Sequence, residues 1–155
     1  MFPPLPYPAV SLILFVCTGN TCRSPLAEAI ARALLGPESG VAFASAGLHA
    51  LDGAPATPNA LAAAAEVGLD LREHRARPVT REMVEASDRI YVMTQPLAEA
   101  LAQLGEGLSG RVALLDAAGE DIPDPYGADP DAYRRVRDHI RAAVEARLGE
   151  WRAIG

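Results

Sequence analysis

Apolar and polar positions along the chain form alternating blocks that predict strands and helices in turn. An unbroken apolar run at residues 12–16 is typical of a strand buried on both faces, and a polar loop of residues 17–24 follows it. Further strands are predicted at 41–44, 88–93 and 111–115, and helices at 24–36, 57–68, from 80, at 95–104 and from 129. Strands that alternate with helices predict an α/β domain whose parallel sheet is covered on both faces.

Three helix starts are marked by a polar residue followed directly by proline: Ser24-Pro25, Thr57-Pro58 and Asp129-Pro130. The polar side chain can accept a backbone hydrogen bond, and the proline ring suits the first helical position. We therefore expect Ser24 to cap the first helix. The last predicted helix carries one apolar stripe, formed by Tyr133, Val136, Ile140, Val144 and Leu148.

The length of 155 residues fits one compact domain. Proline recurs near the N-terminus, so we expect residues 1–11 to form an extended arm and residues 12–155 to form the folded domain. No apolar run approaches the roughly 20 residues of a membrane span. The first residues also lack the basic region of a signal peptide, and we expect none.

The charge balance restricts the partners that we expect. Fourteen basic residues against 20 acidic ones give a net charge of −6. A protein that binds a nucleic acid backbone or an anionic membrane surface needs a basic face, so we expect neither partner. The two cysteines cannot make a disulfide scaffold or a four-ligand zinc cluster. We expect a cytoplasmic protein with reduced thiols.

The polar loop after the first strand carries the candidate chemistry. It consists of Cys17, Thr18, Gly19, Asn20, Thr21, Cys22, Arg23 and Ser24. Backbone N–H groups of a tight loop that enters a helix form an anion-binding nest. Gly19 and Asn20 are residue types that reach positive φ with little strain, as such a loop requires. The planar guanidinium of Arg23 can bind two oxygens of a tetrahedral oxyanion, so we predict a phosphate-binding loop.

Cys17 lies at the end of the predicted strand, at the floor of this loop. The helix N-terminus and Arg23 favour its thiolate form near neutral pH, and the Ser24 hydroxyl can hydrogen-bond the sulfur. A nucleophile beneath an oxyanion implies attack on phosphorus and a covalent thiophosphate intermediate. A lone cysteine at a strand end is more often a small core residue. The complete loop, in its strand–loop–helix context, favours the nucleophile.

Cleavage of a phosphate ester also needs a proton for the leaving group, which one carboxylic acid in a nearby loop can supply. The polar stretch before the last helix offers Asp121, Asp124 and Asp129. Asp129 is better explained as a helix cap, and an Asp-Pro pair such as Asp124-Pro125 is also ordinary turn chemistry. The residues alone therefore leave Asp121 and Asp124 as rival acids.

The chain resembles the low-molecular-weight protein tyrosine phosphatase family over residues 12–148. The matching positions are residues 16–25, Ala27-Glu28, Ser45-Ala46-Gly47, residues 74–77, Met93 and Asp124-Pro125-Tyr126. The resemblance implies one three-layer α/β domain with a four-stranded parallel sheet in flavodoxin-like order. It also implies a two-step hydrolysis of phosphate monoesters without a metal or other cofactor. In that scheme Cys17 is the nucleophile, Arg23 binds the phosphate and Asp124 is the general acid.

The resemblance assigns supporting roles to four further residues. It implies that Asn20, Ser45 and His74 form a network that holds the loop in its strained shape. Cys22 is implied to be a resolving cysteine, which captures an oxidised Cys17 as a disulfide before irreversible oxidation. The alternative for Cys22 is a packed loop thiol.

Three residues bear on the substrate. Leu51 and Tyr126 are the predicted pocket walls, and Tyr126 can stack against a phenyl ring, which favours phosphotyrosine. Thr21 stands where tyrosine-specific members typically have Ile, and the related bacterial protein arginine phosphatases carry Thr there. Since a threonine hydroxyl can favour a polar guanidinium over a flat ring, phosphoarginine is the alternative. The first hypothesis is a phosphatase acting on phosphotyrosine in proteins, with inorganic phosphate or a similar oxyanion as the ligand of the loop.

Two other function classes are more distant. Arsenate reductases of this fold pass oxidising equivalents along three cysteines, and no cysteine follows Cys22 in this chain. A non-catalytic anion-binding module of the same fold need not keep the complete loop. The joint presence of Cys17, Arg23 and Asp124 favours an enzyme over both.

Overall fold

The computed structural model describes residues 11–105, 107–108 and 110–155, and strands and helices alternate along them. The elements are β1 (Ser11–Cys17), α1 (Arg23–Leu35), β2 (Val41–Gly47), α2 (Pro58–Ala65), α3 (Arg81–Ala86), β3 (Arg89–Val92), α4 (Gln95–Leu101), β4 (Val112–Leu114) and α5 (Pro130–Ile154). A 3-10 turn, Ala102–Leu104, follows α4. The arm predicted at residues 1–11 lies outside the described residues except for Ser11, which is the first residue of β1 and not part of an arm.

The four strands form one parallel sheet in the order β2-β1-β3-β4. Ile13, Leu14, Phe15 and Val16 of β1 are all buried. Because successive side chains of a strand point to opposite faces, the sheet is covered on both sides around β1. The helix α1 packs against α5 and β2, and α4 packs against β3 and β4. The prediction of an α/β domain with a four-stranded parallel sheet is confirmed.

The strand order places the end of β1 at a switch point of the sheet. The chain leaves β1 toward β2 on one side, whereas β3 pairs with β1 on the other side. Ligands of open parallel sheets bind in the crevice at such a point, beyond the carboxyl ends of the strands. Cys17, the last residue of β1, lies at this edge.

A cluster of aromatic side chains fastens α5 to the sheet. Trp151 packs edge-on against Phe15, Phe43 and Tyr91, with ring centroids 5.5–5.8 Å apart. The indole N–H of Trp151 donates to the Tyr91 hydroxyl at 2.9 Å, and that hydroxyl donates to a Glu150 carboxylate oxygen. Burial, reinforced by the Glu150 carboxylate, raises the pKa of Tyr91 to about 12, so this hydroxyl remains a donor over the ordinary pH range.

Two of the three predicted helix caps form as expected. Thr57 Oγ1 accepts from the Ala60 N–H at 3.3 Å at the start of α2, and Asp129 Oδ1 accepts from the Ala132 N–H at 2.9 Å at the start of α5. Within the described part of the chain, no helix combines the length and the apolar character that crossing a bilayer requires.

The third predicted cap is wrong. The first helix begins at Arg23, with Cys22 at the N-cap position, so Ser24 lies inside the first turn. The Ser24 hydroxyl is 2.9 Å from the Cys17 sulfur and does not cap the helix. The contact with the sulfur is itself one of the sequence predictions; the physical reason for the missing cap is that the helix begins one residue before Ser24, so its hydroxyl contacts Cys17 from within the first turn.

Some predicted boundaries also move. The second helix ends at Ala65, three residues before the predicted end at Gly68, where a positive φ of 78° reverses the chain direction. The second strand continues to Gly47, beyond the predicted end at residue 44. This extension carries the chain up to the loop after β1 and places Gly47 beside Cys17 in the register of the sheet.

Candidate active site

The loop between β1 and α1 forms one side of a pocket of ≈ 210 Å³. The residues that line it are Cys17, Thr18, Gly19, Thr21, Cys22, Arg23, Asp124 and Tyr126. Two loops distant in sequence therefore contribute to the same pocket: the one after β1 and the one before α5. Every predicted member of the phosphate-binding loop except Asn20 and Ser24 lines it, and those two lie behind the sulfur.

The Cys17 sulfur contacts two groups that can donate hydrogen bonds to it. The Asn20 backbone N–H points at the sulfur from 3.2 Å, and the Ser24 hydroxyl lies 2.9 Å away. An S–H group needs only one acceptor, whereas a sulfur anion benefits from both donors. The arrangement therefore favours the nucleophilic form of the thiol.

Asn20 shapes the loop from its interior. It is fully buried and is the one residue other than glycine with positive φ (55°) among the described residues. Its side-chain amide donates to Ser24 Oγ at 2.8 Å and to Ser45 Oγ at 3.0 Å, and its Oδ1 accepts from the Arg77 backbone N–H at 3.0 Å. These bonds offset the cost of the left-handed backbone and hold the Asn20 N–H against Cys17.

His74 supports the same residue from outside. Its Nε2 lies 2.7 Å from the Asn20 carbonyl oxygen. Because a carbonyl oxygen only accepts, Nε2 must carry a proton in this contact. The structure thus brings the three predicted support residues, Asn20, Ser45 and His74, into one network.

Gly47 permits the loop to pass close over β2. A Cβ atom at this position would lie 2.6 Å from the Thr18 carbonyl oxygen and 2.9 Å from the Asn20 backbone nitrogen. Both are backbone atoms, so a side chain would displace the loop. The sequence motif Ser45-Ala46-Gly47 does not by itself give Gly47 a role, although a glycine inside a strand often marks a close backbone approach.

Arg23 is anchored so that its guanidinium faces the pocket. One terminal nitrogen donates to the Ile122 carbonyl oxygen at 2.9 Å, and the other donates to Thr18 Oγ1 at 3.4 Å. The second nitrogen also lies 3.5 Å from Asp124 Oδ2. The anchor at Ile122 escaped sequence reasoning. The sequence does contain one indication of this anchor: Ile122 is an apolar residue in a polar loop, which suggests a buried position, and Ile122 is buried.

Asp124 and Asp121, the rival acids, occupy different environments. Asp124 lines the pocket with its side chain 48% exposed, and its Oδ1 accepts from the Tyr126 N–H at 3.0 Å. Asp121 is turned away: its Oδ1 accepts from the Gln95 N–H at the start of α4. Asp124 is therefore the carboxyl group that can reach a molecule bound above Cys17.

The predicted pocket walls divide into one that lines the pocket and one that does not. Tyr126 lines it while remaining 73% exposed, so its ring can meet an arriving substrate. Leu51 is 78% exposed and is not among the residues that line the pocket, so its role as a wall stays a prediction. Leu51 lies in the loop after β2, and the apolar pattern of the sequence does not show whether this loop extends to the pocket.

Cys22 also lines the pocket, and its sulfur lies near three hydroxyl groups, those of Thr57, Tyr133 and, at 3.8 Å, Thr21. Thr57 Oγ1 is 3.4 Å away and Tyr133 Oη is 3.5 Å away, and both cysteines are free thiols. Burial and the bond to Cys22 raise the pKa of Tyr133 to about 12. Sequence reasoning assigned Thr57 to a cap and Tyr133 to the core stripe, and missed their contact with Cys22.

One group of possible metal ligands lies elsewhere in the described structure. Asp116, Glu120 and His139 place one ligand atom each within 4.8 Å of one another, and none of them lines the pocket. His139 Nε2 lies 2.7 Å from Asp116 Oδ2, and this hydrogen bond lowers the pKa of Asp116 below its usual value. Paired in this way, the two side chains satisfy each other without an ion.

Comparison with known proteins agrees with this geometry. The family described as "Low molecular weight phosphotyrosine protein phosphatase" matches residues 12–152. The probable low molecular weight protein-tyrosine-phosphatase EpsP of Ralstonia nicotianae is 37% identical over 147 residues, which cover 94% of this chain and 99% of that protein. The protein-arginine-phosphatase of Bacillus subtilis is 35% identical over 133 residues, which cover 83% of this chain and 88% of that protein.

A solved structure gives the same result. Wzb of Vibrio vulnificus, in complex with benzylphosphonate, superposes with a TM-score of 0.85 at 32% identity, covering 90% of this chain and 98% of that one. The match of the family to nearly the whole chain, together with relatives above 30% identity, identifies the protein as a phosphatase. The chain belongs to the low molecular weight phosphotyrosine protein phosphatase family.

Proposed function

We propose that this phosphatase works in two steps, with Cys17 as the nucleophile, Arg23 as the phosphate ligand and Asp124 as the general acid. The observation that carries the proposal is the pocket itself, which these three side chains line together. Ile122 and Thr18 hold the Arg23 guanidinium, so it is oriented before a substrate arrives. A preorganised donor of this kind is most effective where charge develops on the transferred phosphoryl group.

In the first step the Cys17 thiolate attacks phosphorus, and the bond from phosphorus to the leaving oxygen breaks. Asp124 gives its proton to that oxygen, while Arg23 and the loop N–H groups bind the remaining phosphoryl oxygens. The Arg23 guanidinium lies 3.5 Å from Asp124 Oδ2, close enough to bring phosphate and acid together.

In the second step water hydrolyses the phosphocysteine. Asp124, now ionised, accepts a proton from the attacking water, and the Cys17 sulfur leaves as a thiolate. The donors from Asn20 and Ser24 stabilise the departing anion, as they stabilise the attacking one. The product is inorganic phosphate, held in the loop until it dissociates.

We infer that the substrate is phosphotyrosine in proteins. Tyr126 at the rim of the pocket can pack against a phenyl ring, and EpsP, which matches nearly all of this chain, is named as a tyrosine phosphatase. Phosphoarginine is the second candidate. Thr21 lines the pocket, and the matching Bacillus subtilis protein is named as an arginine phosphatase.

The two substrates can be separated by assaying phosphotyrosine and phosphoarginine peptides side by side, with wild type and Thr21→Ile. We expect wild type to prefer phosphotyrosine, and Thr21→Ile to widen that preference because it removes a hydroxyl from the pocket wall. Cys17→Ala is the control and should be inactive on both peptides. A wild-type preference for phosphoarginine that Thr21→Ile reverses would favour the second candidate.

We further propose that Cys22 protects the nucleophile and that the protein works in the cytoplasm. Both thiols line one pocket, so an oxidised Cys17 is accessible to Cys22. Free thiols whose reduced state is needed for turnover suit a reducing compartment. The acidic charge of the chain argues against nucleic acid or membrane partners and leaves the phosphorylated protein as the expected partner.

A further inference from the structure

Three side chains from three separate elements meet behind the pocket. Cys22 belongs to the loop before α1, Thr57 caps α2, and Tyr133 lies in the first turns of α5. The Cys22 sulfur is 3.4 Å from Thr57 Oγ1 and 3.5 Å from Tyr133 Oη, and the two hydroxyl oxygens are 3.3 Å apart. A sulfur and two hydroxyls therefore form a closed triangle.

The hydroxyl hydrogens of Thr57 and Tyr133 can be donated to the Cys22 sulfur. Thr57 Oγ1 accepts the Ala60 N–H that caps α2 and donates its own hydrogen to Tyr133 Oη, 3.3 Å away. Since a hydroxyl hydrogen can rotate, it can turn to a charged sulfur instead. The Tyr133 hydroxyl also has a hydrogen to donate, and its raised pKa of about 12 means that it stays protonated at neutral pH. A thiol at Cys22 needs only one of these donors, whereas a sulfur anion can accept from both.

We propose that Thr57 and Tyr133 are positioning residues that hold Cys22 ready as a resolving nucleophile. This inference rests on the protective role proposed for Cys22. It adds that the hydroxyl pair sets how quickly Cys22 captures an oxidised Cys17. A merely structural triangle would stabilise the packing of α2 and α5 without affecting that rate.

The redox steps balance with hydrogen peroxide as the oxidant. The Cys17 thiolate attacks one peroxide oxygen, the O–O bond breaks, and a sulfenic acid and hydroxide result. The Cys22 thiolate then attacks the sulfenic sulfur. A disulfide forms, the S–O bond breaks, and the departing hydroxide becomes water. Overall one peroxide is reduced to two water molecules, which take up the two thiol protons, and two thiols are oxidised to one disulfide.

Further oxidation of Cys17 competes with disulfide formation, and this competition can be measured. A second peroxide can convert the sulfenic acid of Cys17 to sulfinic acid, which a thiol reductant does not reverse. The ratio of disulfide to sulfinic acid after a brief peroxide dose reports how fast Cys22 acts. Mass spectrometry of the digested protein gives this ratio without any assay of turnover, so it remains readable even if the proposed phosphatase chemistry fails.

Tyr133→Phe removes one hydroxyl and keeps the ring in the core. We expect the ratio of disulfide to sulfinic acid to fall about tenfold toward the value of Cys22→Ser. Turnover of p-nitrophenyl phosphate before oxidation should stay close to wild type, since Tyr133 does not line the pocket. Tyr91→Phe is the matched control: it removes another buried tyrosine hydroxyl, one that contacts Glu150 and Trp151, and should leave the ratio unchanged.

Variants of Thr57 test the same proposal independently, in case Tyr133→Phe acts only by destabilising the fold. Thr57→Asp keeps an acceptor for the cap of α2 but replaces a donor with a negative charge beside Cys22, so it should lower the ratio as well. Thr57→Ser keeps the hydroxyl and should resemble wild type. The rate at which iodoacetamide alkylates Cys22 at neutral pH, in a Cys17→Ala background, should fall in Tyr133→Phe.

Two results would overturn the proposal. One is an equal ratio and an equal alkylation rate in wild type, Tyr133→Phe and Thr57→Asp, which would mean that the hydroxyl pair only packs the helices. The other is a Cys22→Ser protein whose yield of sulfinic acid matches wild type, which would mean that Cys22 does not resolve Cys17.

Discussion

The guanidinium of Arg23 lies 3.5 Å from the carboxylate of Asp124, yet the two side chains differ sharply in exposure, at 4% and 48%. The buried arginine is fixed by the Ile122 carbonyl oxygen, whereas the half-exposed carboxylate is in contact with solvent. This asymmetry suits the two proposed roles. A phosphate ligand gains from rigidity, and an acid that reloads its proton on each cycle gains from access to water.

The role of Asp124 predicts a dependence on the leaving group. Asp124→Ala should lower the rate of phosphocysteine formation from a phosphotyrosine peptide by about 10²–10⁴-fold, because an ordinary phenoxide leaves poorly without a proton. The loss on p-nitrophenyl phosphate should be much smaller, since nitrophenolate is a stable anion. Rapid-quench measurement of the first turnover on both substrates, before the common hydrolysis step limits the rate, measures this, with Asp121→Asn as a control expected to be near wild type. Equal losses on both substrates would speak against a general acid.

Gly47 offers a test of the close approach beneath the loop. Gly47→Ala should lower kcat/KM by at least about tenfold, because the new methyl group meets backbone atoms at 2.6 and 2.9 Å and displaces the loop. Gly149→Ala in α5 is the control: apart from neighbouring residues of its own helix, no atom lies within 4 Å of its added methyl, so it should stabilise the helix by about 0.5–1 kcal/mol without changing turnover. A fully active Gly47→Ala protein would contradict the predicted displacement.

Sequence and structure agree where the signals are local. The apolar run before Cys17 and the turn-forming pair Gly19 and Asn20 predict a strand, a loop and a helix, because each signal acts within a few residues. The cap at Ser24 is wrong because the hydroxyl serves the sulfur instead. The anchor of Arg23 at Ile122 joins residues 99 positions apart, and no local pattern reports such a contact.

The difference between local signals and contacts that join distant parts of the chain also explains the rest of the site. The contact between Cys22 and Tyr133 spans 111 positions and depends on how α5 packs across α1 and α2. Tyr133 fits the apolar periodicity of α5. This periodicity predicts that its ring is buried but does not predict a contact of its hydroxyl. The role of Leu51 stays a prediction, because an exposed apolar residue in a loop does not by itself show whether that loop forms a wall of the pocket.

The pair of His139 and Asp116 predicts a pH dependence of stability. The hydrogen bond lowers the pKa of Asp116 from its usual 3.8 in the folded state. The hydrogen bond therefore stabilises the folded state at pH values above 3.8, and this stabilisation is lost as the pH falls through the pKa of Asp116 in the folded protein. We expect His139→Ala to lower Tm at neutral pH, and the gap to wild type to narrow below about pH 4. Thermal unfolding from neutral to acid pH measures this.

The matching control replaces the other partner. In an Asp116→Asn background, His139→Ala should change Tm by a similar amount at all pH values, because the ionisable carboxyl group is gone. A gap that stays constant while the pH falls from about 4 through the range in which Asp116 is protonated would show that the pair does not act through ionised Asp116.

The most direct test of the account is to trap the covalent intermediate. Asp124→Ala should form phosphocysteine readily from p-nitrophenyl phosphate but hydrolyse it slowly, since the second step lacks its base. Rapid quenching followed by mass spectrometry should then find one phosphoryl group on the peptide that contains Cys17, and none in Asp124→Ala combined with Cys17→Ala. Continued turnover by the Cys17→Ala protein, or a phosphoryl group on any other residue, would contradict Cys17 as the nucleophile.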